Sequence, residues 1–160
     1  MIQDNFHGVI KLAHSKYSID DLLERLSATN KSNKNSIQLF DPSAVISRNH
    51  LIGAYADALM AFSEKRNVSS TVAVEMMLYA AMTRQIRDAI GIMGAKSSKG
   101  FVVFSDSRSA YSRLKDLLKN EKEFNPTMSE SLRAAKRFGI DQEEDLDGFV
   151  MQKMALSLLD

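Results

Sequence analysis

The stretch EMMLYAAMTRQIRDAIGIMG, residues 75–94, decides how this chain is read, with the helical run HLIGAYADALMAF at 50–62 just before it. Met76, Met77, Leu78, Ala80 and Ala81 precede a polar, partly cationic insert, Thr83-Arg84-Gln85. Ile86, Ala89, Ile90 and Met93 follow it. After the insert the apolar residues recur at i, i+3/i+4 and i+7, which marks one face of a helix. Two apolar helices built for burial are therefore expected, joined at a polar seam. Arg84 and Arg87, three residues apart, would share a different face. Cations at the joint of a buried element suit an anion or a partner's carboxylates. A solvated helix face is the simpler account, and both stay open.

Outward from this stretch, helices alternate with short strands. FHGVIKLAH at 6–14 alternates loosely and predicts a first strand. Ser18 with Asp21 opens a helix over DDLLERLSA, ATNKSNKN at 28–35 is a polar loop, and IQLFD at 37–41 is a short strand closed by Pro42. Residues 48–65 form an amphipathic helix. Asn67-Val68-Ser69-Ser70 breaks it and offers the next N-cap. AKSSKG at 95–100 is a flexible basic loop, and FVVF at 101–104 is the clearest buried strand. Residues 107–120 are predicted helical. Pro126-Thr127 with Glu130 opens a further helix that Gly139 ends as a left-handed cap. Asp141 and Glu144 are expected to cap the last one. The pattern implies one α+β domain over 1–160: a two-layer sandwich with a small mixed sheet of about three to four strands and packed helices.

The composition excludes several functions. Cysteine is absent, so there is no disulfide, no thiolate nucleophile and no sulfur-ligated zinc. No stretch approaches roughly 18 apolar residues without a charge, and the N-terminus has no long apolar segment. A soluble cytoplasmic protein with no membrane partner is expected. A net charge of +1 argues against holding nucleic acid by bulk electrostatics. The distribution is asymmetric. Cations prevail over 84–119, whereas Asp141, Glu143, Glu144, Asp145 and Asp147 fall within seven residues that hold no base. Such asymmetry orients a charged partner.

No catalytic constellation is found. Gly91-Ile92-Met93-Gly94-Ala95-Lys96-Ser97 departs from a phosphate-binding loop, because Ala95 separates glycine from lysine and no clear strand leads in. His7 and His14 have opposite parity on their strand and cannot share a metal. His50 has no histidine or cysteine at ligand spacing, which leaves helix capping or packing against a functional contact. No serine lies in a nucleophile elbow. The acids of 141–147 lie in and around a helix's first turn, where the dipole stabilises them. Neither an enzyme nor a resident cofactor or metal is expected.

Binding features remain. Four of the nine methionines fall within 76–93, which suits either core filling or an adaptable surface. In the last helix Leu146, Phe149, Val150, Met154 and Leu158 make one stripe, yet Met151, Leu156 and Leu159 lie off it. A terminal helix apolar on more than one side either sits in the core or docks on a partner.

HLIGAYADALMAF, EMMLYAAMTRQIRDAIGIMG and the C-terminal MQKMALSLLD resemble, in order and spacing, the KEOPS accessory subunits that bind that complex's small atypical kinase, the PRPK-binding proteins. The shared motif is His-Leu, then Glu-(apolar)-Leu-Tyr, then Arg-Gln-Ile with Ala-Ile four residues on. Many members place glycine or a small residue before Thr-Arg-Gln-Ile. Ala81-Met82 stands there in this chain, which makes one continuous helix an expectation at the joint. The resemblance implies a non-catalytic subunit of the complex that completes threonylcarbamoyladenosine at tRNA position 37. Such a subunit binds the kinase, tunes its ATPase activity and helps hold tRNA by its 3′ CCA end. It implies no DNA partner. Single-stranded ends are held by stacking and a cationic groove. His50, Arg84 and Gln85 match the motif, and Lys65, Arg66, Lys96 and Lys99 are added as RNA candidates on charge alone. Met151, Leu156 and Leu159 are the kinase-binding candidates. A protein-only module that regulates a kinase without touching RNA is the alternative.

Overall fold

The structure, a computed structural model, describes residues 6–158. Leu159 lies outside that range. In chain order the elements are β1 (Val9–His14), α1 (Ile19–Lys31), β2 (Ile37–Phe40), α2 (Arg48–Ser63), α3 (Val72–Ala81) and α4 (Ile86–Met93). Then come β3 (Phe101–Ser105), α5 (Arg108–Ser112), β4 (Lys119–Glu123), α6 (Met128–Lys136) and α7 (Leu146–Ser157). The fold is α+β, as expected. Its four-stranded sheet runs β2-β3-β1-β4. Every pairing is antiparallel, so the sheet is not mixed.

Helices cover both faces of the sheet, where a two-layer arrangement is expected from sequence. Ile10, Phe40, Val102 and Phe104 point to a large core shared with α2, α3, α4, α6 and α7. Val9, Ile37, Leu39, Phe101 and Val103 point to a smaller core under α1 and α5. This explains the unbroken apolar run FVVF: a strand buried on both faces has no polar side to present.

Local chemistry sets most helix ends. Ser18 accepts from the Asp21 N–H, Ser47 from His50 and Thr71 from Val74. Thr127 and Glu130 close a reciprocal capping box. Gly139, past α6, takes the left-handed φ of 73°, which glycine adopts without a steric penalty.

Several boundaries differ from the sequence reading, and α1 runs on to Lys31, into the expected polar loop. The N-cap of α3 is Thr71, one residue beyond the expected break. The break is organised instead by the buried Glu75 carboxylate, which accepts from the N–H groups of Val68 and Ser69 and from the Ser69 hydroxyl. Lys119–Glu123 is an edge strand and not the end of a helix: pairing with β1 overrides local propensity, and its charges keep the edge solvated. Asp141 and Glu144 do not cap α7. Asp145 holds the cap position without a side-chain bond, and Asp147 anchors the helix by accepting from Ser47 Oγ and Asn49 Nδ2.

Candidate functional site

The predicted RNA-binding residues fall on α2 and the connection after it, on the α3–α4 joint and on the loop after α4, whereas Met151 and Leu156 stand on α7. His50 lies in the first turn of α2 and is fully buried. Its Nδ1 accepts from the Ile46 N–H at 3.0 Å, and its Nε2 reaches the Ala80 carbonyl at 2.9 Å. The Phe138 ring meets it edge-on at 5.7 Å. Burial pulls its pKa down to about 4, against the smaller raising effects of the Ala80 bond and Asp147. The imidazole is therefore neutral at pH 7, with its proton on Nε2. His50 ties the start of α2 to the end of α3 and is not a surface contact for RNA.

The joint next to it is not a continuous helix. Met82 takes a left-handed conformation at φ 58°, and its N–H closes on the carbonyls of Leu78 and Tyr79. The Thr83 N–H bonds the Leu78 carbonyl at 3.2 Å, a five-residue closure that ends the helix. Thr83 Oγ1 accepts from the Gln85 N–H at 3.2 Å, and Gln85 starts α4. Arg84 is thus in the turn, while Arg87 is on the helix. Arg84 Nη1 donates to the Leu158 carbonyl at 3.0 Å, which ties the turn to the end of α7.

The other charge-based candidates are more scattered. Arg66 pairs with Glu64 at 2.9 Å and donates to the Tyr79 hydroxyl at 2.8 Å. Lys65, exposed and left-handed, follows the far end of α2. At 1.5 Å per residue that is about 20 Å from His50. Lys96 folds back onto the Gly91 and Gly94 carbonyls at 2.9 and 3.0 Å and closes the C-terminus of α4. Lys99 is exposed on the loop beyond. The length of α4 separates Gln85 from Lys96 by about 12 Å. The cations fall on three separate connections, after α2, between α3 and α4, and after α4, and do not make one patch.

The last helix splits the two readings of its sequence between its two sides. Leu146, Val150, Met154 and Leu158 are buried. Met151, half-buried, lies over Gly53, where an added Cβ would collide with its sulfur. Phe149 is 42 % and Leu156 57 % exposed. Phe149 thus leaves the expected stripe and joins Leu156. Their i, i+7 spacing already carried that signal.

A second apolar surface was missed. Ile86 and Ile90 read as core, yet they are 41 % and 55 % exposed. With Leu23 and Ile19 of α1 they line a groove of about 190 Å³ floored by Leu39. Periodicity identifies a face, and it does not say whether anything covers it.

The family model described as kinase binding protein CGI-121 matches residues 16–157. A curated relative, the KEOPS complex subunit Cgi121 of Pyrococcus abyssi, is 36 % identical over 61 residues. That match covers 38 % of this chain and 36 % of the relative's length. Among the described residues, no helix is long and apolar enough to cross a membrane.

Proposed function

The chain belongs to the CGI-121 kinase-binding family, and from that premise we propose that it is a non-catalytic subunit of the KEOPS tRNA-modification complex. In this reading it binds the small atypical kinase subunit, tunes its ATPase activity and helps hold tRNA by its 3′ CCA end. The observation that carries the kinase part is the family match over most of the chain together with the exposed apolar side of α7. Leu156 and Met151 stand on α7, and Leu159 follows it in the sequence. Support for the RNA part is the solvent-facing position of Arg84 and Gln85 at the joint, with Lys99 on the loop after α4.

The protein-only alternative draws on a specific observation. His50 is buried, and Arg66 and Lys96 are engaged with the protein's own groups. Capture of the tagged chain from cells separates the two readings. The complex subunit brings down the small kinase and tRNA together, and the module brings down the kinase alone. Capture of neither, from cells that express both, would overturn the proposal. Purified chain that hydrolyses ATP, with the activity abolished by a point substitution in it, would overturn the non-catalytic role.

A further inference from the structure

The outer face of α7 combines an apolar centre with a rim of one charge. Asp145, Phe149, Gln152 and Leu156 follow at i, i+4, i+7 and i+11, so they run down one side of the helix. Phe149 and Leu156 are exposed, and with Ile140 they line an open depression of about 330 Å³. Asp141 stands on its edge. Glu143, Glu144 and Asp145 continue from it, all exposed. Asp147 is excluded from this rim, because Ser47 and Asn49 hold its carboxylate. Lys153 lines the depression too, but its ammonium is bonded to the Phe138 carbonyl. The helix dipole accounts for Asp145 at the cap position. It does not account for Asp141, Glu143 and Glu144, which precede the helix by two to five residues.

We propose that this face docks a basic protein segment carrying an apolar anchor, presented by the kinase subunit. The inference rests on the reading above and deepens it by stating the chemistry of the partner's surface. Charge selects the occupant. Four carboxylates within five residues repel RNA phosphates and anionic lipid headgroups alike. The same field draws in lysine and arginine and raises the rate of productive encounter. The apolar centre then supplies the holding contact, because exposed aromatic and aliphatic side chains gain most when a partner excludes water from them.

The test uses the full chain and its cognate small kinase subunit, with association followed from about 50 to about 500 mM salt. Reversing the rim with Asp141→Lys and Glu144→Lys should slow association about tenfold at low salt, and the deficit should vanish at high salt. Phe149→Ser or Leu156→Ser should speed dissociation by about tenfold or more at every salt concentration. Thermal melts check folding. Should Phe149→Ser fail to fold, Leu156→Ser and the charge pair carry the experiment.

Wild-type binding that ignores salt, or variants that bind like wild type, would overturn this inference and leave the kinase-subunit reading intact. A wild-type chain that does not bind the kinase at all would overturn both. Charge reversal that tightens tRNA binding and leaves kinase binding unchanged would also overturn it, and would mark the rim as a guard against RNA.

Discussion

Arg84, in the turn between α3 and α4, holds the main-chain carbonyl of Leu158, immediately after α7, at 3.0 Å. The joint and the end of the last helix are thereby one unit. A guanidinium carries five N–H donors, so one bond to a carbonyl leaves it able to meet a phosphate. The bond also restrains the side chain, which lowers the entropy lost when a ligand is bound.

Replacing Arg84 by glutamate separates an RNA role from a purely structural one. The lost bond joins an exposed donor to a carbonyl, so stability should fall by no more than about 1 kcal/mol. Under the RNA reading tRNA affinity drops, and deleting the CCA nucleotides weakens wild-type binding far more than it weakens the variant. Few phosphates are engaged, so the salt dependence should correspond to roughly two to four ions released. Equal tRNA binding by Arg84→Glu and wild type would leave the residue as a latch for the C-terminus only.

Met82 gives a test of the joint itself. A side chain in the left-handed region costs about 1 kcal/mol, which glycine avoids. Met82→Gly and Met82→Ala remove the same packing against the core, so their difference reports the backbone alone. Glycine should be the more stable of the two by about 1 kcal/mol in urea unfolding. Were the helix continuous through residue 82, alanine would be the better residue by a similar margin.

What the sequence disclosed tracks how local the physics is. The Thr127–Glu130 box and the Gly139 cap were legible because their bonds span a few residues. FVVF was legible because burial on both faces leaves an unbroken apolar run. The strand KNEKE was not, since its polar residues pair at the sheet's rim, and a distant strand decides that. The seam at Thr83-Arg84-Gln85 was visible, but the backbone reversal before it was hidden, because methionine does not announce a left-handed residue. His50 stayed ambiguous for a similar reason. Its role depends on the Ala80 carbonyl, thirty residues on.

The two sides of α7 should respond oppositely to mutation. Leu156 is largely exposed, so Leu156→Glu should change stability by no more than about 0.5 kcal/mol while weakening kinase binding. Met154 is fully buried, and Met154→Ala should cost about 2–5 kcal/mol. Thermal melts paired with kinase capture distinguish them. If Leu156→Glu unfolds the domain as Met154→Ala does, the outer side is core and no docking face exists there.

The buried histidine makes a prediction in pH. An unfolded chain protonates His50 near 6.5, whereas the folded chain holds it neutral down to about 4. Between those values the unfolded state binds more protons, so this group makes stability fall as pH falls from about 6.5 to about 4. The shift corresponds to about 3 kcal/mol at 1.36 kcal/mol per unit. Asp57 acts in the opposite sense. Burial raises its carboxyl from 3.8 to about 6, with Arg66 opposing more weakly. The folded state therefore binds the extra proton there, and this group makes stability rise as pH falls through the same window. The two partly cancel in the wild type, so its acid limb should be shallow. His50→Gln keeps a donor and an acceptor but cannot titrate. Its stability relative to wild type should improve by about 3 kcal/mol on going from pH 7 to pH 4. Asp57→Asn should show the reverse, more stable than wild type above pH 6 and losing that advantage below pH 4. Urea unfolding at several pH values in this range measures both. A His50→Gln difference that stays constant with pH would mean that the imidazole titrates alike in both states and is not buried between Ile46 and Ala80.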